Sequence, residues 1–186
     1  MHLENVQKHK ELKHKILAEK QILSIEIDFA QNKEIPKLAV NQNFYLRNLW
    51  FYLFNLHIYD HKSLMYYLIE GEHQKGANTV VSYLYDALKN LDLTKYKKIV
   101  IFSDSCCAQN KNYLIMKFLS LMAIEFGKEI MQIFPVVGHS YSICDRNFAN
   151  FTKKLKKIQT IEHYSEYLMS GLKTDLLIKE STLNVV

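Results

Sequence analysis

At 186 residues, with 48% hydrophobic side chains, 12 Tyr and 10 Phe, the chain suits one globular domain with a sizeable core. Five Gly and two Pro exclude collagen-like, Pro-rich and Gly/Ser-linker character, and no internal repeat is present. The formal charge of +5, from 24 basic and 19 acidic residues, is compatible with a polyanionic partner without being diagnostic of one.

No window holds about 18 uninterrupted apolar residues. The most apolar stretch, "FYLRNLWFYLFNLHIYDH", carries Arg47, two Asn and two His, so it reads as a buried strand pair and no membrane association is expected. The opening "MHLENVQKHKELKHK" has no apolar core of a secretory signal, which predicts an intracellular protein. Cys106, Cys107 and Cys144 are an odd set without framework spacing, as suits reduced thiols in a cytosolic or nuclear setting.

In chain order, residues 2–20 predict a helix, with Leu3, Val6, Leu12, Ile16 and Leu17 as an imperfect apolar stripe. Its Lys and His residues read as a solvated face, and residues 1–20 as a lead-in to a domain spanning 21–157. "ILSIEID" alternates Leu23, Ile25 and Ile27 with Ser24, Glu26 and Asp28, a strand that Asp28 closes. A loop with Pro36 follows, then a hairpin from 44–58 and 63–70. From Gly76 the period becomes helical through Val80, Val81, Leu84, Tyr85 and Leu88, with Asn78 as candidate cap and an end near Asn90.

"KKIVIFSD" (97–104) is too short for a helix and rich in β-branched residues, hence a buried strand ending at Asp104. Tyr113, Met116, Leu119, Leu121 and Phe126 predict a second helix that Gly127 stops. A strand over 129–140 with Pro135 towards its exit and a third helix over about 143–157 complete the domain. Residues 158–186 are expected to add a helical extension. The predicted fold class is α/β, a mixed five-stranded sheet in the order β-β-β-α-β-α-β-α.

Three acids fall at element ends: Asp28 closes the first strand, Asp104 the fourth, and Asp145 opens the last helix of that order. If the first and fourth strands are neighbours, their carboxyl ends meet at a ligand-binding crevice. Two carboxylates so placed need a cation to remain ionised, and an all-oxygen donor set suits Mg²⁺ or Mn²⁺. A third carboxylate can hold a second metal, the arrangement that supports in-line displacement at phosphorus by a water or a DNA 3′-hydroxyl. Each acid also has a structural alternative. Asp28 can close an Asx turn, Asp104 can cap or turn, and Ser142-x-x-Asp145 has capping-box spacing.

The order of elements and the acid positions resemble the ribonuclease H-like fold of retroviral integrases and DDE/DDD transposases. The words "DFAQN" (28–32), "KGANTVVSYL" (75–84), "SDSCCAQNKN" (103–112) and "FPVVGHSYSICDRNFANFTKK" (134–154) are similar to a domain common in transposon-derived animal proteins. They cover roughly residues 22–157. The resemblance implies a metal-dependent polynucleotidyl transferase or endonuclease acting on DNA, with Asp28, Asp104 and Asp145 as metal ligands, a nuclear location and a homo-oligomer. The chain shows no zinc finger and no clear helix-turn-helix. Asp rather than Glu at the third acid position shortens that ligand by one methylene. The rival reading is an inactive nucleic-acid-binding or protein-interaction module of the same fold.

His139 stands six residues before Asp145, where it can meet a scissile phosphate or orient a water; a structural role is the alternative. Cys106, Cys107, His139 and Cys144 lack a C-x₂-C pair, so zinc is set aside. Glu70 and Glu72 can serve as an auxiliary acid or as solvated hairpin-end charges. Gln109, Asn110, Lys111 and Asn112 open the second helix beside Asp104, where amide donors and a helix amino terminus suit a phosphate backbone. Arg146 and the run Lys153, Lys154, Lys156 and Lys157 are the further candidates for contact with DNA, against a solvated helix face.

Overall fold

Alternation in the strands and helical periodicity between them generate a two-sided sheet. The computed structural model describes residues 2–38, 47–72, 74–135, 142–172 and 177–180. Helix α1 (His2–Ala18) precedes β1 (Ile22–Phe29), β2 (Lys33–Ile35), β3 (Leu49–Ile58) and β4 (Ser63–Ile69). Then come α2 (Ala77–Lys89), β5 (Lys98–Ser103), α3 (Tyr113–Phe126), β6 (Glu129–Ile133), α4 (Ile143–Leu155), α5 (Tyr164–Leu172) and β7 (Leu177–Glu180). The architecture is α/β, with an open mixed sheet of order β6-β5-β1-β3-β4-β7 and β2 added on β3.

Strand β1 sits at the centre of this order. It runs antiparallel to β3 and parallel to β5, with Ile27 opposite Ser103. Strand β6 continues the parallel side beyond β5, and β7 runs parallel to β4 at the opposite end.

Both faces of the sheet are covered, which is why β1 and β5 are buried along nearly their whole length. On one face Leu23, Ile25, Ile27, Ile99 and Ile101 pack with α2 and α3 through Leu84, Leu88, Phe118 and Met122. On the other, Phe51, Leu53 and Met65 meet Phe148, Phe151 and Leu155 of α4. Phe51 stacks on Tyr167 at 4.8 Å and on Tyr67 at 5.8 Å, arrangements that add to the area buried. Ile16 brings α1 onto this second face against Val100 and Phe102 of β5.

Helix ends follow their capping chemistry. Asn112 Oδ1 accepts from the Ile115 N–H at 3.1 Å, and α3 ends at Gly127 in the left-handed region (φ 60°), where a side chain would be strained. Asn112→Ala is expected to cost about 1 kcal/mol, read as a lower urea midpoint with an unchanged m-value.

Three expectations change. Among the described residues the sheet has seven strands where five are predicted: β2 forms within the predicted loop, and β7 within the predicted helical extension. Both are too short for alternation to show, and both are held by a longer partner strand. The cap of α2 is Gly76, with no side-chain bond, while Asn78 lies inside the helix; Thr79 Oγ1 instead donates to the Gln74 carbonyl at 2.6 Å. Strand β6 ends at Ile133, and the rest of the predicted strand, from residue 136, lies outside the described residues.

Candidate functional site

Parallel pairing of β1 and β5 places Asp28 and Asp104 at the same end of neighbouring strands, each one residue past the Ile27–Ser103 pair. Alternation puts Glu26 and Asp28 on one face of β1, the face carrying Phe102 of β5 and covered by α1 and α4. Glu26, Asp28 and Asp104 all line one cleft of about 450 Å³.

Asp28 is mostly buried, and its carboxyl is pushed up to about 7. Burial is the main cause; the charge of Asp104 comes next, and that of Asp145 adds to it. The Phe29 N–H donates to Asp28 Oδ1 at 2.7 Å and opposes the shift. Asp104 is exposed at the strand exit. Its Oδ1 accepts from the Asn110 side-chain amide and from the Cys106 N–H at 3.3 Å. Among the described residues, the Oδ2 of each acid has no hydrogen-bond donor.

The lysine whose charge acts on Asp28 is Lys75, in the loop before α2. Its Nζ donates to Asn32 Oδ1 at 3.1 Å and lies 5.0 Å from the centre of the Phe29 ring. Burial lowers its pKa, while the charges of Asp28, Cys106 and Asp104 act in the opposite sense. Glu26 is deeper still. It accepts from Lys13 Nζ at 2.9 Å and from the Tyr59 hydroxyl, and burial followed by this bond raises the tyrosine pKa.

Asp145 stands at the start of α4 and completes a capping box. Ser142 Oγ accepts from the Cys144 N–H at 3.0 Å, and the Asp145 carboxylate accepts from the Ser142 backbone. Burial and the charge of Glu26 raise its pKa, against that backbone bond. Its side chain lines a second cleft with Lys33, Thr152, Lys153 and Lys156. Below it, Cys144 Sγ is fully buried and donates to the carbonyls of Glu26 at 3.4 Å and Asn55 at 3.7 Å.

His139 lies outside the described residues. The segment 109–112 is divided. Asn110 is 1% exposed and serves Asp104, its own carbonyl held by Gln132 Nε2 at 3.0 Å, so the expectation that it meets a phosphate is corrected by its burial. Asn112 is engaged at both ends, as the α3 cap and as donor to the Cys107 carbonyl. Lys111 lies over the Phe134 ring, away from the acid cleft, and Gln109 is half-buried. Arg146 lines the acid cleft, Lys153 the second cleft, and Lys157 is exposed. Lys154 is half-buried on α4. Glu70 accepts from Arg47 at 3.0 Å and from the Trp50 N–H at 3.1 Å, holding the hairpin.

Sequence reasoning passed over Lys75, Lys13 and His9 as site residues, and it placed Glu26 on the polar face of β1 without a role. The i, i+2 relation of Glu26 to Asp28 was the available signal; nothing local marks Lys75. Among the described residues no group of three or more His, Cys, Asp or Glu side chains is set to hold a metal ion. Beside Glu26, the cleft offers the pair Asp28 and Asp104, each held by one oxygen, the other lacking a donor among the described residues. A family model described as "Domain of unknown function (DUF7869)" matches residues 52–182, a segment with Asp104 and Asp145 but not Asp28, and no curated protein matches the chain.

Proposed function

We propose, for a chain that belongs to the DUF7869 family, a metal-dependent nuclease or polynucleotidyl transferase acting on DNA phosphodiesters in a ribonuclease H-like framework. The observation that carries this reading is the pairing of Asp28 with Asp104 at the ends of adjacent parallel strands, with the Asp28 carboxyl pushed up to about 7. A carboxylate pair held at such a cost suits a site completed by a cation.

The donor chemistry fits a hard divalent ion. Asp28 and Asp104 are the residues that would hold Mg²⁺ or Mn²⁺, with Asp145 flanking them as the third acid, and Asn110 fixes the orientation of Asp104. Such an ion, when bound, supplies charge neutralisation at phosphorus and activation of the attacking oxygen. The protein's own part is to orient Asp104 through Asn110 and Gln132, to bury Asp28, and to bring Lys75 near both. The antiparallel β1, β3 and β4 followed by parallel β5 and β6 support the ribonuclease H-like framework. A nuclear location and a homo-oligomer belong to the same reading.

Calorimetric titration with Mn²⁺ tests it. Wild type is expected to show saturable binding that Asp28→Asn/Asp104→Asn loses, with the variant folded by circular dichroism. Equal heats from the two proteins would overturn the metal reading and leave the inactive nucleic-acid-binding module in its place.

A further inference from the structure

The basic helix α1 is docked on the sheet through an apolar contact. Ile16 is buried against Val100 and Phe102 of β5, and this contact turns one face of α1 onto the acid cleft. His9, Lys10, Lys13 and His14 line the same cleft of about 450 Å³ as Asp28 and Asp104, with Arg146 of α4 also on its wall. Lys8 and Lys15, on the same helix, do not line it.

We propose that α1 is the phosphate-gripping wall of this cleft, and that its occupant is the sugar-phosphate backbone of a nucleic acid. The inference rests on reading the acids as a phosphodiester site, and it assigns the substrate contact to residues that precede the family segment at 52–182. A phosphodiester brought against two carboxylates needs positive charge on its far side as well as a cation between. The cleft supplies it from two elements: Lys10 is exposed on α1 and Arg146 on α4. Lys13 is already oriented by Glu26 at 2.9 Å, and its Nζ lies 5.2 Å from the Phe102 ring centre. Each Lys–phosphate contact releases counterions, so affinity for a backbone falls with salt in proportion to the contacts made.

The experiment is fluorescence anisotropy of a labelled DNA duplex with the full chain, Ca²⁺ replacing Mg²⁺, over a salt series. A labelled RNA duplex runs in parallel to show which backbone is taken. Lys10→Glu is expected to weaken binding about tenfold or more at low salt and to lower the slope of log K against log salt by about 1. Lys8→Glu, the same charge change off the cleft, is expected to stay within about twofold.

Equal losses in the Lys8 and Lys10 variants, no loss in either, or no binding of DNA or RNA by wild type would overturn the assignment. The Mn²⁺ titration separates this from failure of the acid site. Metal binding without a difference between Lys8→Glu and Lys10→Glu removes the wall alone. A selective Lys10 effect without metal binding removes the acid reading alone.

Discussion

Asp28→Asn is expected to stabilise the metal-free protein by about 2–4 kcal/mol at pH 8. Burial and the neighbouring charge of Asp104 raise the folded-state pKa of Asp28 from 3.8 to about 7. The folded state therefore binds this proton more tightly than the unfolded chain. The associated stability is fully present below pH 3.8 and is lost as pH rises through about 7. Asparagine keeps an acceptor for the Phe29 N–H without a charge to ionise. Urea unfolding of wild type and variant from pH 5 to pH 8 reads the effect as a difference that includes the relief of repulsion on Asp104 and Asp145. A variant no more stable than wild type at pH 8 would show that Asp28 ionises without cost. Added Mn²⁺ is expected to reverse the ranking at pH 8 by binding wild type alone.

The second large effect concerns the pair deeper in the same cleft. Lys13→Met is expected to destabilise the protein by about 2–4 kcal/mol, because it leaves the Glu26 carboxylate buried with the Tyr59 hydroxyl as its remaining side-chain partner. Lys13 and Glu26 side chains are 20% and 8% exposed, so water screens this pair far less than a surface one. Lys13→Met/Glu26→Gln is expected to return to within about 1 kcal/mol of wild type, since the unpaired charge is gone. Urea midpoints of the four proteins of this cycle measure the coupling. A Lys13→Met cost no greater than that of an exposed pair would show that α1 opens freely from the sheet.

Much of this frame was readable from periodicity. Strand β1 announces itself by alternation from Leu23 to Asp28, β5 by its apolar run, and α3 by its stripe and Gly127. The acids at strand ends were readable for the same reason, because a carboxylate closing an apolar run is conspicuous. Strands β2 and β7 were not, since three or four residues carry no period and depend on the edges of β3 and β4. The place of α1 was hidden because Ile16 and Val6 are its only buried apolar residues among those described, so its pattern resembles a free surface helix. Asn110 looked like a phosphate ligand because amides near a helix start usually face water; here Gln132 on β6 closes over it. Lys75 reaches the acids only through tertiary folding of the loop before α2, which no local spacing encodes.

The parallel pairing of β1 with β5 also bears on the order of events during folding. Strands β3 and β4 meet across a short turn and can associate early, whereas joining β1 to β5 must close the whole chain between Phe29 and Lys98. Asp28 and Asp104 are apart until that closure and adjacent afterwards. Their mutual repulsion is thus absent from any partly formed hairpin, and it weighs on the long-range step that joins β1 to β5.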